Sequence, residues 1–145
     1  MTESDYQYQI RVSEQNIQNC YAEINKCNRE IEELQSMASR LQKVGDALSS
    51  ASNSGTGKIN RLLQSFAAAG RALKGKLFGT VEALYTGPEY NRSCSSVEES
   101  MRSVYRKIDE LQQKIENCYR QINANQDKIS SCRQSIALLA AESEG

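Results

Sequence analysis

Histidine and tryptophan are absent from this 145-residue chain, and proline occurs once, at Pro88. Without histidine the chain lacks the usual general base near neutral pH and the commonest metal ligand. With a single proline, almost nothing interrupts helix along most of the length. Aromatics make up only 6% of the residues, two of them phenylalanine. That is lean for a compact globule and suits long helices that each bury one narrow seam. No apolar run approaches the roughly 20 residues needed to span a bilayer. Eighteen basic residues balance eighteen acidic ones, so no global charge directs the chain to nucleic acid or to an anionic membrane. The opening Met1-Thr2-Glu3-Ser4-Asp5 is acidic and polar, the opposite of a signal peptide's basic and then apolar start. The expected location is cytoplasmic, with secretion by a signal-independent route left open.

What the sequence does contain is one pattern written twice. In the first segment, residues at alternating steps of three and four read Ile10, Ser13, Ile17, Cys20, Ile24, Cys27, Ile31, Leu34, Ala38, Leu41, Gly45 and Leu48. In the second they read Val97, Met101, Val104, Ile108, Leu111, Ile115, Cys118, Ile122, Asn125, Ile129, Cys132, Ile136 and Leu139. The positions between are dominated by Glu, Gln, Asn, Lys, Arg and Ser. An apolar period of 3.5 residues sustained this far is a coiled-coil signal. Each segment corresponds to roughly 70 Å of helix at about 1.5 Å per residue. Neither buries its stripe alone, and the nearest partner is the other segment folded back antiparallel. A register pairing Ile24 with Cys118, Ile31 with Leu111 and Cys20 with Ile122 matches the two seams, and the register one heptad away does nearly as well. Asn125 is the polar residue on the second seam. It reads either as a solvated layer near a fraying end or as a register specifier facing the Ser13–Cys20 stretch.

The predicted fold class is all-α: a single domain over 1–145, built as a long antiparallel coiled-coil helical hairpin with a shorter middle helix near the tip. The first helix is expected over about 4–50, ended by the breaker cluster Ser49 to Gly57. The middle helix follows over about 57–84, on Ile59, Leu62, Leu63, Phe66, Gly70, Leu73, Leu77, Val81 and Leu84. Its small residues cost helix stability, about 1 kcal/mol per interior glycine relative to alanine. A turn is expected at 85–89 around the Gly-Pro step. The last helix is expected over about 92–141, capped by Ser95 or Ser96 with Glu98 and Glu99 in its first turn.

Candidate chemistry is sparse. Carboxylates sit at salt-bridge spacing on solvated helix faces, and no enzymatic activity is expected. Cys20 and Cys27 lie seven residues apart, about 10 Å along a helix. Two sulfurs of one arm therefore cannot share a tetrahedral zinc with sulfur about 2.3 Å from the metal. The thiols read as buried small apolar residues; a single Cys27–Cys118 cross-link is conceivable if the register slides. Gly55-Thr56-Gly57-Lys58 lacks the earlier glycine and following hydroxyl of a phosphate loop, whose positions hold Ser52 and Ile59. No metal or cofactor is expected. Lys58, Arg61, Arg71, Lys74 and Lys76 precede the next acid, Glu82. They form either a solvated outer face or a basic helix suited to an acidic partner or a membrane surface. Leu63, Phe66, Leu73, Phe78, Tyr105 and Tyr119 lie near or off the seam and form a candidate second apolar face for a partner chain.

Tyr85-Thr86-Gly87, lying between two helical arms and followed by Tyr90, resembles the Trp-X-Gly turn of small helical-hairpin proteins handled by type VII secretion in Gram-positive bacteria. Here Tyr stands where that family usually has Trp. The layout is similar to the YwqH-like members, small coiled-coil proteins encoded beside LXG-type toxins. Tyr105-Arg106-Lys107-Ile108-Asp109 also matches that system's Tyr-X-X-X-Asp/Glu signal, with Tyr105 and Asp109 as its defining residues. The resemblance implies an escort or small substrate that pairs, as a homo- or heterodimer, with the helical N-terminal domain of a toxin and helps present it for export. The competing expectations are a generic coiled-coil scaffold of a phage or cell envelope, and a membrane-surface binder acting through the basic middle helix.

Overall fold

The computed structural model describes residues 1–65 and 87–144, with side chains described to Asn53 in the first stretch and for all but Pro88 in the second. Two helices account for nearly all of them: α1, Glu3–Ser65, and α2, Pro88–Glu144. They pack against each other as an all-α helical hairpin. No helix among the described residues is long and apolar enough to cross a membrane.

The start of α1 is fixed by a reciprocal cap. Asp5 N–H donates to Thr2 Oγ1 at 3.3 Å, and the Asp5 carboxylate accepts from Thr2 N at 2.8 Å and Thr2 Oγ1 at 2.9 Å. This is a capping box, with aspartate in the place of the usual Glu or Gln, and it satisfies donors that the first turn leaves without intrahelical partners. The bonds from Thr2 lower the pKa of Asp5. At the start of α2, Asn91 N–H donates to the Gly87 carbonyl at 3.0 Å. Gly87 is thus the N-cap residue and Pro88 the first helical position, where a missing N–H costs nothing and a fixed φ helps. The expected turn at 85–89 and cap at Ser95 or Ser96 are corrected here: the Gly-Pro step opens the helix, with Glu89 in its first turn. Tyr85 and Thr86 lie outside the described residues.

The predicted end of the first helix near residue 50 is also corrected, because α1 runs through the Ser-Gly cluster to Ser65. Serine and glycine lower helix propensity without blocking the backbone as proline does. A glycine stop generally takes a left-handed residue, and no glycine among the described residues has a positive φ. Residues 57–65, expected to begin a separate middle helix, continue α1; the rest of that prediction lies outside the described residues.

The chain divides into two compact units, Met1–Glu33 with Lys107–Gly145, and Leu34–Arg106. In the first, every predicted seam position is buried or half-buried: Cys20, Ile24, Cys27, Ile31, Ile108, Leu111, Cys118, Ile122, Ile129 and Cys132 form the buried set, joined by Ser13. Three cross-helix bonds define its register. Cys132 Sγ donates to Gln9 Oε1 at 3.4 Å, Asn16 Nδ2 to Asn125 Oδ1 at 3.4 Å, and Cys20 Sγ to Gln121 Oε1 at 3.4 Å. Stepping seven and then four residues forward along α1 retreats seven and then four along α2, so the pairing is antiparallel and unslipped. It is the register of the predicted Ile24–Cys118 and Cys20–Ile122 layers.

In the second unit the seam continues at the same spacing. Leu34, Leu41, Gly45 and Leu48 on α1, and Val97, Met101 and Val104 on α2, are half-buried. Only Ala38 and Ser52 are buried among its described residues. Cys94, Tyr90 and Gly87 extend the α2 stripe toward its N-terminus, each half-buried. A Cβ placed on Gly45 would meet Val97 Cγ1 at 3.6 Å, an ordinary van der Waals contact.

Candidate functional site

The most distinctive chemistry lies in the first unit, where cysteines from both helices enter one buried cluster. Cys20, Ile24, Cys118 and Ile122 form one buried cluster, with Ile17 and Ile115 packed against it. Those residues come from the same short sequence used twice. Ile17, Asn19, Cys20, Tyr21, Ile24 and Asn25 on α1 recur as Ile115, Asn117, Cys118, Tyr119, Ile122 and Asn123 on α2. Because the helices are antiparallel, the two copies run in opposite directions past one another. Such a pairing has a local two-fold relation, which exchanges Cys20 with Cys118 and Ile24 with Ile122. Each cysteine therefore packs with the other copy's isoleucine, and the two equivalent thiols lie on either side of the local axis.

An open hollow of about 600 Å³ adjoins this pair, lined by Asn16, Asn19, Cys20, Glu23, Cys118, Gln121 and Asn125. Its lining is mostly amide, which explains why the seam turns polar at Asn125. The Asn125 amide donates to the Gln121 carbonyl at 2.7 Å and accepts from Asn16 at 3.4 Å. The cross-helix bond thus goes to a flanking residue, and Asn125 stays half-buried at the hollow's edge. Both earlier readings of Asn125 contribute: the layer is partly solvated, and it makes a polar contact to the other helix.

All five cysteines are free thiols; Cys94 is half-buried and the other four are buried. Burial, then the neighbouring Cys20 thiol, then Glu23 push the Cys118 pKa up. Burial and Glu23 also raise that of Cys27, with Lys114 opposing. The physical cause is the same in both: a thiolate would lose hydration and face negative charge. Cys27 donates a long bond to Glu23 at 3.8 Å within its own helix. The predicted layers Ile24–Cys118 and Cys20–Ile122 together make up this cluster; a Cys27–Cys118 cross-link was conceivable only in a slid register, and the register is unslipped. Among the described residues, no group of three or more Cys, Asp or Glu side chains is placed to hold a metal ion.

Of the candidate partner-binding residues, Tyr105 and Tyr119 are about half exposed, at 53% and 49%. Asp109, the other half of the export-signal match, is also exposed. Tyr105 borders a second hollow with Gln35, Ala38, Ser39, Gln42 and Lys43 in the second unit. Phe66, Leu73, Phe78 and the Tyr85-Thr86 part of the turn lie outside the described residues, as does the side chain of Leu63. Exposed apolar side chains that sequence reasoning did not select include Tyr8, Val12, Tyr21 and Leu138 in the first unit, and Met37 and Val44 in the second. Tyr21 and Tyr119 occupy equivalent places in the repeated segment, each following a seam cysteine. Comparison with family models, with curated proteins and with solved structures returned no match.

Proposed function

We propose that this chain is a non-enzymatic helical interaction protein that binds a partner by helix-against-helix packing, as an escort or small substrate for a toxin of type VII secretion. The observation that carries the interaction reading is the set of large side chains left outside a filled seam. Tyr21 and Tyr119 are about half exposed although each adjoins a buried seam cysteine. Tyrosine offers a broad apolar face with a polar tip, which is why it concentrates at protein interfaces. The secretion part of the reading rests on the resemblance around Tyr85-Thr86-Gly87. In this reading the partner is the helical N-terminal domain of a toxin, and the exported unit is the pair.

Co-expression with the helical N-terminal half of the largest neighbouring open reading frame, followed by size exclusion with light scattering, tests both parts. A complex of fixed stoichiometry is expected, weakened at least about tenfold by joint Tyr21→Ser and Tyr119→Ser substitution, a loss of about 1.4 kcal/mol. The helical melting curve of the variant should stay close to that of the parent. A chain that elutes as a self-contained dimer and ignores that neighbour favours the scaffold instead.

A further inference from the structure

We infer that the Tyr21–Tyr119 face of the first unit takes a second copy of this chain, giving a weak two-fold dimer of hairpins. It shares that face with the reading above but not its toxin, so the test uses the isolated chain. In each helix, heptad row g precedes the seam isoleucines, and row e follows seam residues such as Cys20 and Cys118. In an antiparallel pair the two g rows line one flank of the seam and the two e rows line the other. On the g flank α1 supplies Glu23 and Glu30, both half-buried, and α2 supplies Lys107, Lys114 and Lys128. All three bonds that fix the register also use this flank, through Gln9, Asn16 and Gln121. Acid facing base there favours α1–α2 pairing over either helix with its own kind, and leaves that flank engaged within the hairpin.

The e flank is exposed and close to neutral. It carries Tyr21, Asn28, Gln112, Tyr119 and Gln126, and its two tyrosines are 46% and 49% exposed. Charge enters these rows only at Glu14 and Arg133, of opposite sign and both toward the chain ends. The ion pairs among the described residues are Arg102–Glu98 and Lys107–Glu110, so neither Glu14 nor Arg133 is paired within the chain. Such a face complements itself. Amides both donate and accept, so a neutral row can satisfy its own copy, and tyrosines serve as anchors. Charges return on the outer rows at Arg11, Glu32 and Glu116, as suits a polar rim. Charge also chooses the arrangement. With the two-fold along the hairpin, α1 of one copy lies over α2 of the other. Tyr21 then meets Tyr119 of the other copy with an axial offset of roughly 3 Å, and Glu14 meets Arg133 with one of about 8 Å, which their long side chains span. Turning one copy end for end also gathers the tyrosines but carries Glu14 away from Arg133. The face is small, below about 1,200 Å² in all, so a dissociation constant on the order of 10–100 µM is expected.

Sedimentation equilibrium of the full chain, with reductant present and over concentrations spanning that constant, tests the proposal. A monomer–dimer equilibrium is expected, weakened at least about tenfold by joint Tyr21→Ser and Tyr119→Ser substitution. Glu14→Arg should weaken it about threefold, and adding Arg133→Glu should restore it, since the pair is then exchanged rather than broken. Every substituted side chain is exposed, so the helical melting curve of each variant, taken where the chain is monomeric, should match the parent's. A monomer at all concentrations, a dimer indifferent to the tyrosines, or a loss in Glu14→Arg that the exchange fails to restore would each overturn the proposal. A chain that stays monomeric yet captures the toxin domain would sink this inference and leave the reading above. A tyrosine-dependent dimer that captures nothing would do the reverse.

Discussion

The two units share one heptad spacing and differ in how well it is filled. In the Met1–Glu33/Lys107–Gly145 unit the stripe is mainly isoleucine, leucine and cysteine, and eleven of its positions are buried, Ser13 included. In the Leu34–Arg106 unit the stripe carries Ala38, Gly45 and Ser52, and most of its described positions are only half-buried. Spacing therefore decides which residues face inward, while side-chain volume decides how far water is excluded. A seam needs both to become a core, since burial scales with apolar area removed from water.

The largest expected effect strikes the filled unit. Leu111 is 1% exposed and is the bulkiest of the fully buried side chains. Leu111→Ala should cost about 2–4 kcal/mol, within the range for large-to-small core substitutions. Thermal or urea unfolding followed by circular dichroism measures it, and a loss under about 1 kcal/mol would mean the seam collapses around the gap.

A second substitution should narrow the difference from the other side. At Gly45 an added Cβ makes an ordinary contact with Val97, so Gly45→Ala adds packing without a clash. It should stabilise the protein by about 1 kcal/mol, mainly by removing glycine's cost inside a helix. A lower melting temperature for this variant would show that the second unit has no room at its seam.

Two buried thiols of the first unit give stability a pH dependence. The folded-state pKa values of Cys27 and Cys118 are raised above the ordinary thiol value of 9.0. Below that value both states hold the proton and this contribution is complete. Above it the unfolded chain ionises first, so stability falls as pH rises toward the raised folded values. Melting temperature should therefore drop more steeply on the alkaline side for the parent than for Cys118→Ala. Equal alkaline slopes would contradict the assignment. The smallest effect is expected at Asn16, whose bond to Asn125 is long and exposed. Asn16→Ala should change stability by under about 0.5 kcal/mol.

Much of this was legible in the sequence because periodicity reports facing directly. Every residue assigned to the two stripes is buried or half-buried, from Ile10 to Leu48 and from Val97 to Leu139. The helix ends were less legible. Ser49 to Gly57 looks like a stop, yet weak propensity alone does not end a helix lacking a left-handed cap. Gly87-Pro88 looks like a turn and proves to be a helix start, because a proline at the first position loses no hydrogen bond. The Thr2–Asp5 cap was available in the sequence as a hydroxyl three residues before an acid. The buried cluster of Cys20, Ile24, Cys118 and Ile122 was legible too, because the predicted layers Ile24–Cys118 and Cys20–Ile122 are neighbours on the seam.

The central claim is that α1 and α2 pair antiparallel in one fixed register within the first unit. Methyl-resolved nuclear Overhauser spectroscopy on isoleucine- and leucine-labelled protein tests it most directly. The structure predicts cross-peaks linking Ile122 to Ile24, with Ile17 and Ile115 at the edge of the same group, unchanged when labelled chains are diluted with unlabelled ones. Cross-peaks from Ile24 to Leu111 in place of Ile122 would mean a seam slipped by about two helical turns, and their loss on dilution would mean the partner helix belongs to another molecule.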